Sequence, residues 1–89
     1  MVATAEPRDV AVRLGPSVTA FVACRRWPAE IARERTADGG MRLVFSVSKP
    51  DELIAWVLGF GGEATILEPT DARAELRRRA EAIVAISGA

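Results

Sequence analysis

The 89-residue chain has no histidine, no tyrosine, one cysteine, and a single lysine among its twelve basic residues. With no histidine and only Cys24, it can assemble neither a Cys/His metal set nor a Cys-His nucleophile pair, and it cannot close an intramolecular disulfide. Cys24 is expected to be a small core residue. No apolar run approaches the roughly 20 residues of a membrane helix, and the start MVATAEPRDV has neither a basic beginning nor a long apolar stretch, so a soluble cytoplasmic protein is expected. Nothing resembles a phosphate loop or a metal motif, and no acidic pair stands at a spacing suited to acid/base work. No catalytic residue, metal or cofactor is therefore assigned, and the chain is not expected to be an enzyme.

Hydrophobic residues make up 49% of the chain and charged residues 27%, a balance that argues against intrinsic disorder. A chain of this length buries only about 60 to 65% of the surface its unfolded form exposes, which allows one domain with one modest core. Net charge is zero, which removes the blanket case for nucleic-acid binding, but the distribution is uneven. Residues 1–50 hold eight Lys/Arg against five Asp/Glu, and residues 51–89 hold four against seven.

Residues 1–7 are small and polar without periodicity and read as a disordered lead-in or linker, leaving 8–89 as the domain. Arg8 to Leu14 alternates as a half-buried strand with Val10, Val12 and Leu14 on one face. Gly15-Pro16-Ser17 stops it and opens a helix over residues 17–26, with Val18, Phe21, Val22 and Cys24 as its buried stripe, ending by Trp27 because Pro28 follows. Ala29 to Thr36 alternates charged with small or apolar residues, as an edge strand does. Asp38-Gly39-Gly40 then turns into the alternation Met41, Leu43, Phe45, Val47, which predicts a hairpin.

The near-continuous apolar run Leu53 to Phe60 predicts a helix over 50–60, opened by a Ser48/Asp51 capping box and closed by Gly61 at positive φ. Glu63 to Glu68 reads as a short strand ended by Pro69, and Thr70 caps a last helix running to about Ile86 with Leu76, Ala80, Ile83 and Val84 buried. Glu75 with Arg79 and Arg77 with Glu81 are i,i+4 pairs on that helix, and the Arg77-Arg78-Arg79 run reads as solvated surface. The order strand, helix, strand, strand, helix, strand, helix predicts an α+β, ferredoxin-like βαββαβ sandwich: a four-stranded antiparallel sheet with an appended C-terminal helix. Strands one and three are expected at its centre, adjacent and parallel, with Phe21, Phe45, Trp56 and Phe60 sharing the core.

The region from about Val10 to Val84 resembles the WCX domain, the C-terminal extension of WYL-type bacterial transcriptional regulators. The resemblance rests on Trp27-Pro28 after the first helix, Gly39 in the hairpin, and above all ELIAWVLGFGGEATILEPTDARAEL, with Trp56, Gly59-Phe60-Gly61 and Glu68-Pro69 at fixed distances. It implies a regulatory module that follows a winged helix-turn-helix and a WYL domain, helps to build a homodimer, and flanks an effector groove that takes single-stranded nucleic acid in some members. The tail IVAISGA departs from the family in lacking an aromatic residue, which bears on how the last helix docks. An alternative is a stand-alone ACT-like small-molecule sensor, which shares the element order and places a glycine near the first strand-helix junction, as Gly15 is placed here.

Two candidate sites stand out. If Arg35 pairs opposite Arg42, the outer sheet face carries Ile31, Arg33, Arg35, Arg42, Val44 and Ser46, a basic stripe suited either to a phosphate backbone or simply to protecting a sheet edge. A shift by one residue would turn Arg33 and Arg35 to the other face. The second candidate is Arg25-Arg26-Trp27, where guanidinium groups meet a ring that either stacks on a ligand or plugs the core.

Overall fold

The computed structural model describes residues 6–87; all of the expected lead-in except Glu6 and Pro7 lies outside them. The element order is β1 (Arg8–Leu14), α1 (Pro16–Ala23), β2 (Glu30–Arg35), β3 (Met41–Val47), α2 (Asp51–Leu58), β4 (Ala64–Glu68) and α3 (Thr70–Ser87), with a 3-10 turn over Gly61–Glu63 before β4. The strands lie in the order β2-β3-β1-β4 and every neighbouring pair is antiparallel. This is the expected α+β sandwich with an added C-terminal helix. One expectation is corrected: β1 and β3 are adjacent at the centre but antiparallel. The parallel relation of a split βαβ unit holds between strands joined by a crossover helix, β1 with β2 and β3 with β4, and each of those pairs has another strand between its members.

Period-2 alternation puts Val10, Val12 and Leu14 of β1 on the same face as Phe45, Leu43 and Met41 of β3, their direct partners in the register. Ile66 of β4 pairs with Val12 and extends that face. Val22 from α1, Leu53, Ile54 and Val57 from α2, and Ala72 and Leu76 from α3 close over it to form one continuous core. The opposite face carries Asp9, Arg13, Arg42, Val44 and Ser46, and only the small Ala11 is buried there.

Several local expectations are revised. α1 ends at Ala23, and its cap position, Gly15, has no side chain to offer. The Ser17 hydroxyl instead donates to the Glu63 carboxylate, which approaches from the turn before β4, while Gly15 N–H donates to Glu63 O at 2.7 Å. Glu63 thus places a negative charge at the positive end of a helix whose own first turn has none. The Ser48/Asp51 capping box does not form, because α2 starts one residue after Pro50 with no side-chain cap.

Phe21 is 57% exposed and Cys24 is also exposed, so neither lies in the core; the short α1 presents both beside its buried Val22. On α3 only Ala72 and Leu76 are buried, while Ile83 and Val84 are 52% and 66% exposed. The helix is longer than the layer it packs on. An 18-residue helix spans about 27 Å, and its last turns leave the shelter of α2 and β4.

Three of the four arginines on α3, Arg77, Arg78 and Arg79, are tied down. Glu75 accepts from both Arg78 and Arg79, which draws its carboxyl down to about 2, and Arg79 continues to Asp51 of α2 at 2.7 Å. The expected Arg77–Glu81 pair also forms, at 3.4 Å.

Two glycines are required for different reasons. Gly61 has φ +62° with open space around it, so a side chain there meets backbone strain alone. Gly40 is buried, and a Cβ on it would stand 2.4 Å from Leu14 O. Gly61→Val is expected to cost about 2 kcal/mol. Gly40→Ala adds a smaller side chain but is expected to cost about 2 to 3 kcal/mol, because the clash is with the backbone of β1. Urea denaturation of both variants measures the difference, and a Gly40→Ala midpoint equal to the parent's would contradict the close approach.

Candidate effector surface

The loop between α1 and β2 is organised by one carboxylate. Glu30 opens β2, and its side chain has no solvent exposure. Arg33 grips it with two hydrogen bonds, Nε to Oε2 at 2.6 Å and Nη2 to Oε1 at 2.7 Å, and the same Nη2 donates to Arg25 O at 2.8 Å. Trp27 N–H donates to Oε1 at 3.2 Å, and Arg26 stands 3.7 Å from Oε2. These donors, Arg33 foremost, hold the Glu30 carboxyl below its ordinary range against the opposing effect of burial.

Four of the six sequence-derived candidates, Arg25, Arg26, Trp27 and Arg33, therefore meet around Glu30. Their exposure differs. Arg33 is consumed by Glu30, whereas the Arg26 side chain is 75% exposed and the exposed Arg25 guanidinium lies 4.1 Å above the centre of the Trp27 ring. Trp27 joins Phe21, Phe45, Trp56 and Phe60 through centroid distances of 4.9 to 6.1 Å, so all five aromatic residues of the chain form one connected cluster reaching from buried Phe45 to exposed Phe21. Trp27 is thus a half-buried plug at the edge of the core, with the Arg25 guanidinium stacked on its ring. Its Nε1 is buried without an acceptor among the described residues.

The basic stripe is corrected. Arg42 pairs opposite Glu34, not Arg35, and Arg35 pairs with Met41 and Arg33 with Leu43. The hairpin turn, closed by Thr36 N–H donating to Gly40 O, sets this register one residue away from the one the stripe required, and the bulge between Glu30 and Ala32 lies beyond these pairs and alters only the start of β2. Arg33 and Arg35 consequently project on the helix-bearing side of the sheet. Arg42 faces the other side beside Arg13, and its guanidinium lies 3.9 Å from Glu68 across β1. Arg13 pairs with Asp38 in the hairpin. Among the described residues, no continuous run of free guanidinium groups exists on that open face.

Sequence reasoning missed Glu30. Its partners lie at i−4 and i+3, spacings that suggest a helix, in a segment that alternates as a strand. The signal was present but belonged to a turn and a bulge instead.

Over residues 6–84 the chain matches the family model of the WCX domain. No curated protein matches it closely enough to serve as a relative.

Glu30 yields a pH prediction. A carboxyl whose folded pKa is depressed contributes stability that is fully present above its unfolded value and is lost as pH falls through the folded one. Glu30→Gln is expected to cost about 1 to 3 kcal/mol at pH 7, and the gap to the parent should close as pH drops below about 4.3. Thermal or urea melts of both proteins at pH 7 and near pH 3 test this, and a gap independent of pH would mean that charge at Glu30 plays no part.

Proposed function

The chain belongs to the WCX domain family, and on that footing we propose that it is the C-terminal regulatory module of a WYL-type transcriptional regulator. In this reading it follows a winged helix-turn-helix and a WYL domain, contributes to a homodimer, and forms one wall of an effector groove for single-stranded nucleic acid. It binds and transmits, and does no covalent chemistry of its own. The observation that carries the groove assignment is a pair of exposed arginines in one loop, Arg25 over the Trp27 ring and Arg26 at the edge of a buried Glu30 carboxylate whose charge is already matched by Arg33. Charge for phosphate and a π-face for a base are the two components of single-strand binding. Arg35, exposed and without an ion-pair partner among the described residues, lies two positions beyond Arg33 on the same strand face and extends the positive patch.

The ACT-like alternative rests on Gly15. That position is accounted for by Glu63, whose carboxylate would lie 2.9 Å from a Cβ on Gly15 and whose carbonyl accepts the Gly15 N–H. The glycine makes room for a residue of the same chain, so it lends no separate support to a ligand at that junction.

The homodimer role draws support from the end of α3, where Ile83, Val84 and Ile86, within a single turn, are 52 to 81% exposed. Replacing Ile83 and Ile86 by serine is expected to change domain stability by no more than about 0.5 kcal/mol while lowering self-association in sedimentation equilibrium. Unchanged association would place the dimer contact elsewhere.

The groove is tested in the regulator that carries this domain. Replacing Arg25 and Arg26 together by alanine is expected to weaken binding of a single-stranded oligonucleotide and to flatten the slope of log affinity against log salt by about 1.4, at about 0.7 for each lost phosphate contact. Arg42→Ala, on the opposite face of the sheet, should leave both quantities unchanged. Retained affinity and slope in the Arg25/Arg26 variant would remove this surface from the groove.

A further inference from the structure

A cleft of about 270 Å³ lies between the loop Trp27–Ala29 and α2. Phe45 and Val47 of β3 line it together with Leu53 and Trp56 of α2, and Trp27 forms the wall on the loop side. We propose that this cleft binds a free amino acid with a branched aliphatic or aromatic side chain. The proposal does not depend on the nucleic-acid reading of the neighbouring arginines.

The cleft is held open by the backbone around it. Ala29 has φ +67°, a conformation that L-residues other than glycine seldom adopt and that persists only where the surroundings impose it. Here Ser46 N–H donates to Ala29 O at 2.9 Å, Glu30 N–H donates to Trp27 O at 3.1 Å, and the Glu30 carboxylate holds Trp27 N–H. The chain is thereby turned so that Pro28 and Ala29 border the space.

Size and shape narrow the occupant. The volume is just below the roughly 300 to 1,000 Å³ usual for small-molecule sites, which favours a compact ligand over a whole nucleotide. Trp27 and Trp56 touch at a centroid distance of 5.1 Å with a 55° tilt, so they offer no slot for a flat base between parallel faces. The mouth then sets the chemistry. Lys49 and Glu52 border the cleft, both are exposed, and neither has an ion-pair partner among the described residues. An ammonium and a carboxylate beside an apolar interior complement a zwitterion carrying an apolar side chain: its carboxylate meets Lys49 and its ammonium meets Glu52.

Trp27 and Trp56 are the only tryptophans of the chain and both line the cleft, so intrinsic fluorescence reports occupancy directly. The 89-residue chain is titrated with L-leucine and L-phenylalanine, and with isopentylamine and 4-methylpentanoate, which lack the carboxylate and the ammonium respectively. A saturable change with leucine or phenylalanine is expected, weakened about fivefold by Lys49→Ala or by Glu52→Ala, as suits a contact at an exposed charge. Both side chains are exposed, so the fold survives either change. Binding of isopentylamine should be insensitive to Lys49→Ala, and binding of 4-methylpentanoate insensitive to Glu52→Ala, a crossed pattern that a purely structural role of either residue would not give. The proposal is overturned by the absence of a saturable change up to about 10 mM ligand, which is weaker than millimolar affinity. It is equally overturned by amino-acid binding that ignores both substitutions, and by displacement of the amino acid by an oligothymidylate, which would make the cleft part of a nucleic-acid groove.

Discussion

The grip of Arg33 on the buried carboxylate of Glu30 is the contact on which the distinctive half of this domain depends. A carboxylate removed from water is tolerated only with its hydrogen bonds supplied, and Arg33 and the Trp27 N–H supply them. Because those donors come from the α1–β2 loop and from within β2, satisfying one charge fixes where the loop ends and where the strand begins. The bulge after Glu30 follows in the same place, at the start of β2. The other end of the strand is set by the hairpin turn between Thr36 and Gly40, whose register puts Arg33 and Arg35 on the side opposite Arg42.

The domain separates its charge accordingly. On α3, Glu75 and Asp51 hold two of the three consecutive arginines and Glu81 holds the third, so the most basic stretch of the sequence is internally neutralised. On the open face of the sheet, Arg13 and Arg42 are matched by Asp38 and Glu68. The less conspicuous arginines at the end of α1 are the ones left facing solvent beside an aromatic ring. A count of basic residues along the chain would rank these regions in the reverse order, because it cannot see which carboxylates lie within reach.

The aromatic residues show a related economy. Five rings are few for a chain of this length, and they are joined into one cluster that links α1, the α1–β2 loop, β3 and α2. Only Phe45 is fully buried. The others bridge from the core to the surface, which lets the same side chains stabilise the helix layer and shape the cleft beside it. The aliphatic residues carry the rest of the core, from Val10 to Leu76.

Residue order alone was enough for the element order, the strand count, the core alternation of β1 and β3, the positive φ of Gly61, the Glu75–Arg79 and Arg77–Glu81 pairs and the family, because each rests on local periodicity, on backbone sterics or on residues a few positions apart. The short reach of those rules is also why they failed elsewhere. Period 2 says which residues share a face but not which face, so a hairpin register one residue away from the Arg35–Arg42 pairing was enough to dismantle the stripe of Arg33, Arg35 and Arg42. Helical period says that Phe21, Ile83 and Val84 lie on an apolar stripe, but whether a stripe is covered depends on the extent of the neighbouring layer, and α3 outruns α2 and β4. Arg25, Arg26, Trp27, Glu30 and Arg33 are close along the chain, but their meeting around one desolvated carboxylate was decided by the three-dimensional path of the backbone, the turn at Ala29 and the bulge after Glu30, which neither helical nor strand period describes.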